Sequence, residues 1–245
     1  MVNLRLDETV VLITGGGTGL GLSIAHGLFS CGAKIACISM EYEVKYPENC
    51  LTFKGDIFDD KLVDDSINTI IKKFGKIDIL INNIGFGMNE KCENLELEDF
   101  SKMFKLNLYS QNMMINKIKK YKNNGLKKVI NISSTFSKAA IPTLAGYAST
   151  KRGVLELTKQ LALTDDSISY ACVCPGYFQH KKHVEYFSRD AGKRFLATRI
   201  PLIRLGIPYK ELVPAIITLC LPMTRNIKYT ELIIDGGLSS YDGKE

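Results

Sequence analysis

Tyr147 and Lys151 are the pair of residues whose types and spacing most directly suggest chemistry in this sequence. They lie four positions apart in Tyr147-Ala-Ser-Thr-Lys151, a spacing that places two side chains on the same face of a helix. A nearby positive charge favours the ionised form of a phenol, so this tyrosine could exchange a proton with a substrate oxygen. A surface Tyr–Lys pair without chemistry is the alternative.

The Tyr-x-x-x-Lys spacing occurs a second time, beginning at Tyr177, and the context separates the two copies. Tyr147 lies thirteen positions after Ser134, which ends a strand-like run, and it opens a long helical pattern. Tyr177 follows Pro175-Gly176 directly, where no helix can yet be running. We therefore predict that Tyr177 is a loop residue lining the cleft.

A glycine-rich turn lies between the first predicted strand and the first predicted helix, in the run Val10-Val-Leu-Ile-Thr-Gly-Gly-Gly-Thr-Gly-Leu-Gly21. Glycines let the backbone turn sharply and approach a pyrophosphate, and a helix N-terminus offers free N–H groups and partial positive charge. A tight loop without a ligand is the alternative, but this position favours a dinucleotide site. The residues expected to contact the cofactor are Gly15, Gly17, Thr18, Gly19, Leu20 and Gly21.

The end of the second predicted strand bears on which dinucleotide binds. An acidic residue there would bond the adenosine ribose hydroxyls and favour NAD. Ser39 occupies that place, Met40 and Glu41 follow, and no arginine is present to grip a 2′-phosphate. The absence of repulsion favours NADP, unless the Glu41 carboxylate turns inward. We expect Ser39 and Met40 to contact NADP or NAD.

Polar residues also follow the third and fourth predicted strands. Asp56, before Ile57, could accept a hydrogen bond from the adenine amino group, or could instead cap a turn or a helix. Asn83-Ile84-Gly85 closes the fourth strand at the carboxyl edge of the sheet, where ligands bind in open α/β folds. Asparagines there can lock strand to strand, and Gly85 lets the backbone approach the cofactor.

These residues need a framework, and the apolar pattern predicts one. Strand-like runs alternate with longer helical patterns, which indicates βαβ units and a parallel sheet. The predicted strands are Val10–Thr14, Lys34–Ser39, Leu51–Phe53, Ile79–Asn82, Lys128–Ser133, Ile168–Cys174 and Leu232–Ile234. The predicted helices are Leu20–Cys31, Asp59–Phe74, Glu96–Tyr121, Ser149–Leu163 and Pro208–Leu221.

The fold class that follows is α/β, with a Rossmann-type doubly wound parallel sheet of about seven strands in the order 3-2-1-4-5-6-7. No linker, repeat or low-complexity stretch interrupts residues 1–245, so we predict a single domain. Only Met40 to Cys50 connects the second and third strands. A crossover helix with its loops needs about ten to twelve residues or more, so this helix is expected to be shortened or absent.

Composition narrows the class of protein. Of the 245 residues, 45% are hydrophobic and 24% charged, which is ordinary for a globular chain. The formal charge of +6 comes from lysines spread among Asn and Glu, with no Trp, so we expect no nucleic-acid partner. No apolar run is long enough for a membrane span, and the first residues lack a signal-peptide pattern. Seven scattered cysteines without a Cys-x-x-Cys pair predict no metal site and a cytoplasmic location.

The motifs together resemble those of the short-chain dehydrogenase/reductase family, over essentially the whole chain. They occur in the family's order and at its spacings: Thr14-Gly-x-x-x-Gly19-x-Gly21, Asn82-Asn83-x-Gly85, Asn107, Ser134, Tyr147-x-x-x-Lys151, Pro175-Gly176, Ile200-Pro-Leu-x-Arg204-Leu-Gly206 and Asp235-Gly236-Gly237. Where the family usually has alanine in Asn-Asn-Ala-Gly, Ile84 is bulkier and could crowd the cofactor.

The resemblance implies a role for each catalytic candidate. Tyr147 is the general acid/base as hydride moves at the nicotinamide, with its pKa lowered by Lys151 and the oxidised ring. Lys151 also holds the nicotinamide ribose, and Ser134 hydrogen-bonds the substrate oxygen. Asn107 supports a water-linked proton path to Lys151. Tyr147, Lys151, Pro175, Gly176 and Phe178 are expected to contact the cofactor, with a helix-capping role for Ser134 as the alternative.

The segment 177–205 resembles the family's substrate lid. Tyr177 and His180 are its candidate substrate contacts, beside Ser134 and Tyr147. Its basic residues could bind a carboxylate, phosphate or acyl-carrier substrate, or could simply be solvated. A threonine often follows Pro-Gly in the family, but Tyr177 stands there, which puts that contact in doubt.

The activity implied is reversible carbonyl reduction or alcohol oxidation on a small metabolite or acyl substrate. The C-terminal third resembles the 3-oxoacyl-carrier reductases, whereas the short second connection resembles the 2,3-dihydro-2,3-dihydroxybenzoate dehydrogenases, which oxidise a cyclic dihydrodiol. A cofactor-binding scaffold or redox sensor without turnover is the rival class. The family resemblance also implies a homotetramer or homodimer.

Overall fold

Parallel strands with almost fully buried side chains form the centre of the molecule, in a computed structural model that describes residues 4–88, 90–122, 124–224 and 226–241. One seven-stranded sheet has the order β3-β2-β1-β4-β5-β6-β7, as predicted. The strands are β1 Val10–Thr14, β2 Lys34–Ser39, β3 Leu51–Lys54, β4 Ile79–Asn82, β5 Lys128–Ile132, β6 Ser169–Pro175 and β7 Tyr229–Ile234. In β1, β2, β4, β5 and β6 the Val, Ile and Cys side chains are buried on both faces, which explains why these runs are continuous rather than alternating.

Helices cover both faces of the sheet. They are α1 Gly19–Ser30, α2 Asp60–Phe74, α3 Leu97–Phe104, α4 Ser110–Lys119, α5 Ala145–Thr164, α6 Lys181–Ser188, α7 Asp190–Arg199 and α8 Val213–Cys220. On one face α1 and α8 bury an apolar cluster against the sheet. On the other face, α2, α4 and α5 bury a second cluster. The predicted fold class is therefore confirmed.

The strand register aligns the carboxyl ends at which the candidate residues lie. Thr14 pairs with Asn82, and Asn82 pairs with Asn131, so the last residues of β1 and β4 lie beside the β5 end. Asn82 Nδ2 donates to Asn131 Oδ1 at 2.9 Å, which locks these two strands together as expected. The strand order reverses between β1 and β4, and ligands bind at such a switch point.

The helix that carries Tyr147 begins earlier than predicted. Its first residue is Ala145 rather than Ser149. The sequence did not reveal this first turn, because Ala-Gly-Tyr lacks an apolar repeat and the N-cap Leu144 makes no side-chain cap bond. Tyr147 therefore lies inside the helix. The predicted helix over 96–121 is present from Leu97 to Lys119, but the segment Lys105–Tyr109 has π-helical hydrogen bonding.

Two further differences concern the second half of the chain. The lid segment contains α6 and α7, which were not predicted because few apolar residues mark an inward face. Strand β7 begins at Tyr229 rather than Leu232. Its first half was not predicted because it lies at the edge of the sheet and carries the polar residue Glu231 instead of an apolar run.

The connection from Met40 to Cys50 contains no helix, as predicted. Among the described helices, none combines the length and apolarity required to cross a bilayer.

Candidate active site

Tyr147 and Lys151 lie on one face of α5, at the carboxyl edge of the sheet. The Lys151 ammonium is 5.8 Å from the centroid of the Tyr147 ring and donates to the Ile132 carbonyl at 2.9 Å. Ser133 Oγ donates to the Lys151 carbonyl at 2.7 Å, which ties α5 to the end of β5. Both hydrogen bonds fix the height of the helix relative to the strand, and therefore where the lysine head stands.

Burial controls the ionisation of this pair. Burial lowers the pKa of Lys151 to about 8, against the opposing effect of the nearby Cys172 and Cys174 thiols. Burial raises the pKa of Tyr147, although its hydrogen bond with Ser134 acts in the lowering direction. In the protein without cofactor the desolvation of the phenol therefore outweighs its polar contacts, and the lowering expected from Lys151 together with the oxidised nicotinamide stays a prediction.

Ser134 lies beside Tyr147 at the start of a short turn. Its hydroxyl accepts from the Phe136 N–H at 3.2 Å, and it interacts with the Tyr147 phenol closely enough to act on the phenol's pKa. Ser137 Oγ donates back to the Ser134 carbonyl at 2.6 Å. The sequence left a choice between a capping and a catalytic serine, and the structure gives Ser134 both a capping contact and a place beside the phenol.

Asn107 occupies the π-helical segment between α3 and α4. Its Oδ1 accepts from the Phe86 N–H at 2.7 Å, and its Nδ2 donates to the Phe86 carbonyl at 2.8 Å and to Thr150 Oγ1 at 2.9 Å. π-bulges often occur at functional sites. This fully buried side chain joins the segment after β4 to α5 next to the tyrosine.

Two glycines after β4 allow this close assembly. A Cβ on Gly85 would lie 2.9 Å from Lys151 Nζ and 3.5 Å from Asn107 Oδ1. A Cβ on Gly87 would lie 2.9 Å from Cδ2 of the Tyr147 ring. Gly85 was predicted to let the backbone approach the cofactor, and the structure shows that it also makes room for the lysine head. The role of Gly87 was not predicted, although its position two residues after Gly85 could have indicated that it also lies at the site.

The glycine-rich turn has the geometry of a phosphate cradle. Gly15 and Gly19 have φ angles of +67° and +54°, which glycine adopts readily. A Cβ on Gly21 would lie 2.1 Å from the Gly15 carbonyl oxygen, whereas one on Gly19 would meet no atom within 4 Å. The turn is therefore tightly packed at its base and open above Gly19. Thr18, the N-cap of α1, makes no side-chain cap bond, so the turn and helix start fit a pyrophosphate. Leu20 follows in the first turn of α1.

Ser39 and Met40 border the cradle at the end of β2. Ser39 is buried, and its Oγ lies 2.8 Å from where a Gly17 Cβ would be, whereas the Met40 side chain is exposed. Ser39 pairs in register with Lys54 on β3. A neutral hydroxyl thus faces the glycine turn, and a lysine stands on the neighbouring strand.

The residues after β3 and β4 support the same edge. Asp56 is exposed and its Oδ1 accepts from the Phe58 N–H at 3.0 Å, so it shapes a turn, while Ile57 is buried in the core. The N-cap of α2 is Asp59, not Asp56. Asn83 Nδ2 donates to the carbonyls of Thr14 and Gly15, at 3.2 and 3.1 Å, which fastens β4 to the glycine turn. Ile84 Cγ1 lies 3.0 Å from the Cβ position of Gly15.

On the other side of the cleft, Gly176 and Phe178 pack into the protein. Pro175 ends β6, and a Cβ on Gly176 would lie 2.7 Å from Asp235 Cα. The Phe178 ring is buried against Gly206, so only the backbone of Phe178 is available to a ligand. These three positions therefore border the cleft mainly through their main chain.

The lid is built around Tyr177. Its ring centroid lies 4.8 to 5.7 Å from those of four aromatic residues, namely Phe136, His183, Phe187 and Phe195. Burial raises the pKa of Tyr177 to about 12. His180, the N-cap of α6, stacks on His183 at 3.7 Å between centroids, so His180 belongs to the lid cluster.

Two residues have structural roles at the site that were not predicted from the sequence. His183 Nδ1 donates to the Phe178 carbonyl at 2.8 Å and joins α6 to the end of β6. Asp235 accepts from Thr135 Oγ1 at 2.6 Å and from the N–H groups of Gly237 and Ser239. The Asp-Gly-Gly motif marked Asp235, but nothing in the sequence paired it with Thr135.

Metal ligands and disulfides are not part of the described site. Within the four described ranges, no group of three His, Cys, Asp or Glu residues is placed to hold a metal ion. All seven cysteines are free thiols.

Comparisons with known proteins agree with this geometry. The family model described as short chain dehydrogenase matches residues 9–190. A 7alpha-hydroxysteroid dehydrogenase of Paraclostridium sordellii is 32% identical over 220 residues, which are 83% of this chain and 82% of that protein. A gluconate 5-dehydrogenase of Gluconobacter oxydans (strain 621H) is 28% identical over 96% of each chain. Among solved structures, a gluconate 5-dehydrogenase of Burkholderia cenocepacia J2315 in complex with NADP and tartrate has a TM-score of 0.83 and 29% identity, over 98% of both chains.

Proposed function

The chain belongs to the short chain dehydrogenase family, and from that premise we propose that Tyr147, Lys151, Ser134 and Asn107 catalyse the interconversion of a small secondary alcohol and its ketone. The enzyme class is an oxidoreductase acting on CH–OH groups with NAD(P). The observation that carries the proposal is that the partly buried Tyr147, Ser134 at the end of β5 and the buried Lys151 ammonium, 5.8 Å from the centroid of the Tyr147 ring, lie together at the carboxyl edge of the sheet. A capping serine and a surface Tyr–Lys pair would not require this convergence.

NAD(P), when bound, accepts or supplies the hydride. The glycine cradle would hold its phosphates through Gly15, Gly17, Thr18, Gly19, Leu20 and Gly21. Asn83, Ile84 and Gly85 would contact it along the sheet edge, and Pro175, Gly176 and Phe178 from the opposite side. Ser39, Met40, Asp56 and Ile57 would contact the adenosine half.

The chain's own residues handle the proton. Ser134 donates to the substrate oxygen and places it against the Tyr147 hydroxyl, which gives up or receives the proton there. Lys151, with a pKa of about 8, carries positive charge at neutral pH and favours the ionised phenol. Asn107 Oδ1 and Lys151 Nζ both lie next to the position that a Cβ on Gly85 would occupy, which supports a path for proton exchange between them there.

NADP is the cofactor we propose, with NAD as the alternative. Ser39 presents no carboxylate to repel a 2′-phosphate, and Lys54 stands beside it in register. The NADP complex of the similar Burkholderia structure agrees with this preference.

For the substrate, we propose a small polar or cyclic secondary alcohol that reaches Tyr147 beneath the lid of residues 177–205. The names of two similar proteins, a hydroxysteroid dehydrogenase and a gluconate 5-dehydrogenase, support an alcohol as the reacting group. Tyr177 would contact it, and His180 would border the lid entrance. An acyl substrate and a cyclic dihydrodiol, both expected as alternatives from the sequence, belong in the same test.

We further propose that the whole chain is one domain, since its strands share one sheet. A homodimer or homotetramer and a cytoplasmic location remain predictions of the sequence.

The test measures NAD(P)H formation or consumption with a panel of sugar acids, steroid alcohols, cyclic diols and 3-oxoacyl thioesters. Tyr147→Phe removes only the hydroxyl and should lower turnover by about 10²- to 10⁴-fold with cofactor affinity kept. Turnover equal to that of the unchanged protein in Tyr147→Phe would overturn the proposal. Tight cofactor binding without turnover on any member of the panel would favour the scaffold alternative.

A further inference from the structure

The short connection between β2 and β3 folds against the glycine-rich turn and bonds to it twice. Tyr46 Oη donates to the Gly16 carbonyl at 2.7 Å, thirty positions away in sequence. The Glu43 N–H donates to the next carbonyl, that of Gly17, at 2.9 Å. Two successive peptide groups of the turn are therefore held by one irregular segment.

Tyr46 is itself held firmly. Its side chain is 7% exposed, and its hydroxyl accepts from Cys37 Sγ at 3.6 Å. Its ring makes edge contacts with the rings of His26 and Tyr42, at 5.3 and 5.9 Å between centroids. Burial raises the pKa of Tyr46, so the phenol stays protonated and remains a donor to Gly16.

The contact between the connection and the turn leaves no space for a side chain. A Cβ on Gly16 would lie 2.4 Å from Cys37 Sγ, and one on Gly17 would lie 1.7 Å from the Glu41 carbonyl oxygen. Glycine is therefore required at Gly16 by the packing of the turn on β2, and at Gly17 by the connection, in addition to any ligand.

The two bonds fix the direction of the N–H groups that follow. In a trans peptide the C=O and N–H point to opposite sides, and no peptide in the described chain is cis. With the Gly16 and Gly17 carbonyls turned toward the connection, the N–H groups of Gly17 and Thr18 point away from it. Within the described residues, neither N–H donates to a protein acceptor.

We infer that Tyr46, together with the Glu43 N–H, is a positioning residue for the cofactor phosphates. It holds the glycine turn in the one orientation that presents the Gly17 and Thr18 N–H groups to an anion. This inference rests on the proposed function, because it assumes that the anion is the pyrophosphate of NAD(P).

Fluorescence titration with NADPH and NADH tests the inference on the full chain. Tyr46→Phe should raise the Kd by about three- to tenfold, the effect of one lost hydrogen bond. Its kcat at saturating cofactor should stay within about twofold of that of the unchanged protein. The matched control is Tyr42→Phe, because Tyr42 lies on the same connection but bonds to the carbonyls of Cys37 and Phe53, at 2.8 and 3.1 Å, and not to the turn.

A second variant guards against a folding defect in Tyr46→Phe. Glu43→Pro removes the other donor and leaves the Tyr46 hydroxyl in place, and Glu43→Ala, which keeps the N–H, should bind more tightly than Glu43→Pro. Folded Tyr46→Phe and Glu43→Pro proteins with the Kd of the unchanged chain would overturn the inference. Failure of the unchanged chain to bind either dinucleotide would instead overturn the proposed function.

Discussion

Thr135 Oγ1 donates to Asp235 Oδ2 at 2.6 Å, which joins the turn after β5 to the turn after β7 across one hundred positions of sequence. Thr135 directly follows Ser134. Burial acts to raise the pKa of Asp235, but hydrogen bonds from Ser239, Thr135 and Gly237 hold that pKa below its ordinary value. The ionised carboxylate therefore anchors the backbone next to Ser134.

Thr135→Val should weaken catalysis through this anchor. The loss of one hydrogen bond to a charged group costs about 1.5–3 kcal/mol of unfolding free energy. The altered position of Ser134 should lower kcat by about tenfold, because small misplacements at a reacting centre are costly. Urea unfolding and steady-state kinetics measure the two effects. Thr69→Val is the control, since its exposed hydroxyl bonds only within α2; equal kcat in both variants would contradict the prediction.

Gly85→Ala should displace the lysine head. The new methyl group would lie 2.9 Å from Lys151 Nζ, so the ammonium must shift. We expect kcat to fall by about tenfold or more. Gly153→Ala is the matched control, because Gly153 lies on α5 with Lys151 but its Cβ would lie 2.9 Å from the flexible end of the Leu108 side chain and not against the lysine head. Kinetics in which the two variants lose activity equally would show that general crowding, not the position of Lys151, is responsible.

Lys151→Met should raise the free energy of unfolding, because it removes a buried ammonium group. The pKa of about 8, below the ordinary 10.5, means that the folded protein binds fewer protons than the unfolded chain between these values. The free energy of unfolding therefore rises with pH across this window. Below about pH 8 the buried ammonium lowers it by the full amount, about 3 kcal/mol.

The measurement compares urea unfolding of the unchanged protein and Lys151→Met near pH 7 and near pH 10. The advantage of the methionine variant should be larger near pH 7, while its turnover is lost. A stability difference that does not change with pH would contradict the lowered pKa. Lys159→Met, on the exposed side of the same helix, controls for the loss of a lysine.

The fold and much of the site arrangement could be predicted because they depend on local patterns. Continuous apolar runs mark strands buried on both faces, and the four-residue spacing of Tyr147 and Lys151 follows from helix geometry. Helix α5 begins earlier than predicted because its first turn is stabilised by tertiary contacts, such as Met103 and Leu95 around Gly146, rather than by a capping residue.

The contacts that the sequence did not reveal are those between irregular segments. Tyr46 with Gly16 and Thr135 with Asp235 join loops whose paths have no period. The raised pKa of Tyr147 in the protein without cofactor was not predicted either, because desolvation of the phenol depends on packing that no spacing encodes.

His183 should make the lid sensitive to pH. Burial lowers its pKa, against the raising effect of its bond to the Phe178 carbonyl. The folded protein therefore binds fewer protons than the unfolded chain just below the ordinary histidine pKa of about 6.5, and the stability of the lid is lost as pH falls through that region. Protonation would also place charge against the stacked His180 ring and the Tyr177 and Phe187 rings.

We expect KM for the alcohol to rise below about pH 6.5 while the cofactor Kd changes little. His183→Asn, which keeps a short side-chain donor toward Phe178 but does not titrate, should flatten this KM profile. A profile that is unchanged in His183→Asn would assign the pH dependence to another group.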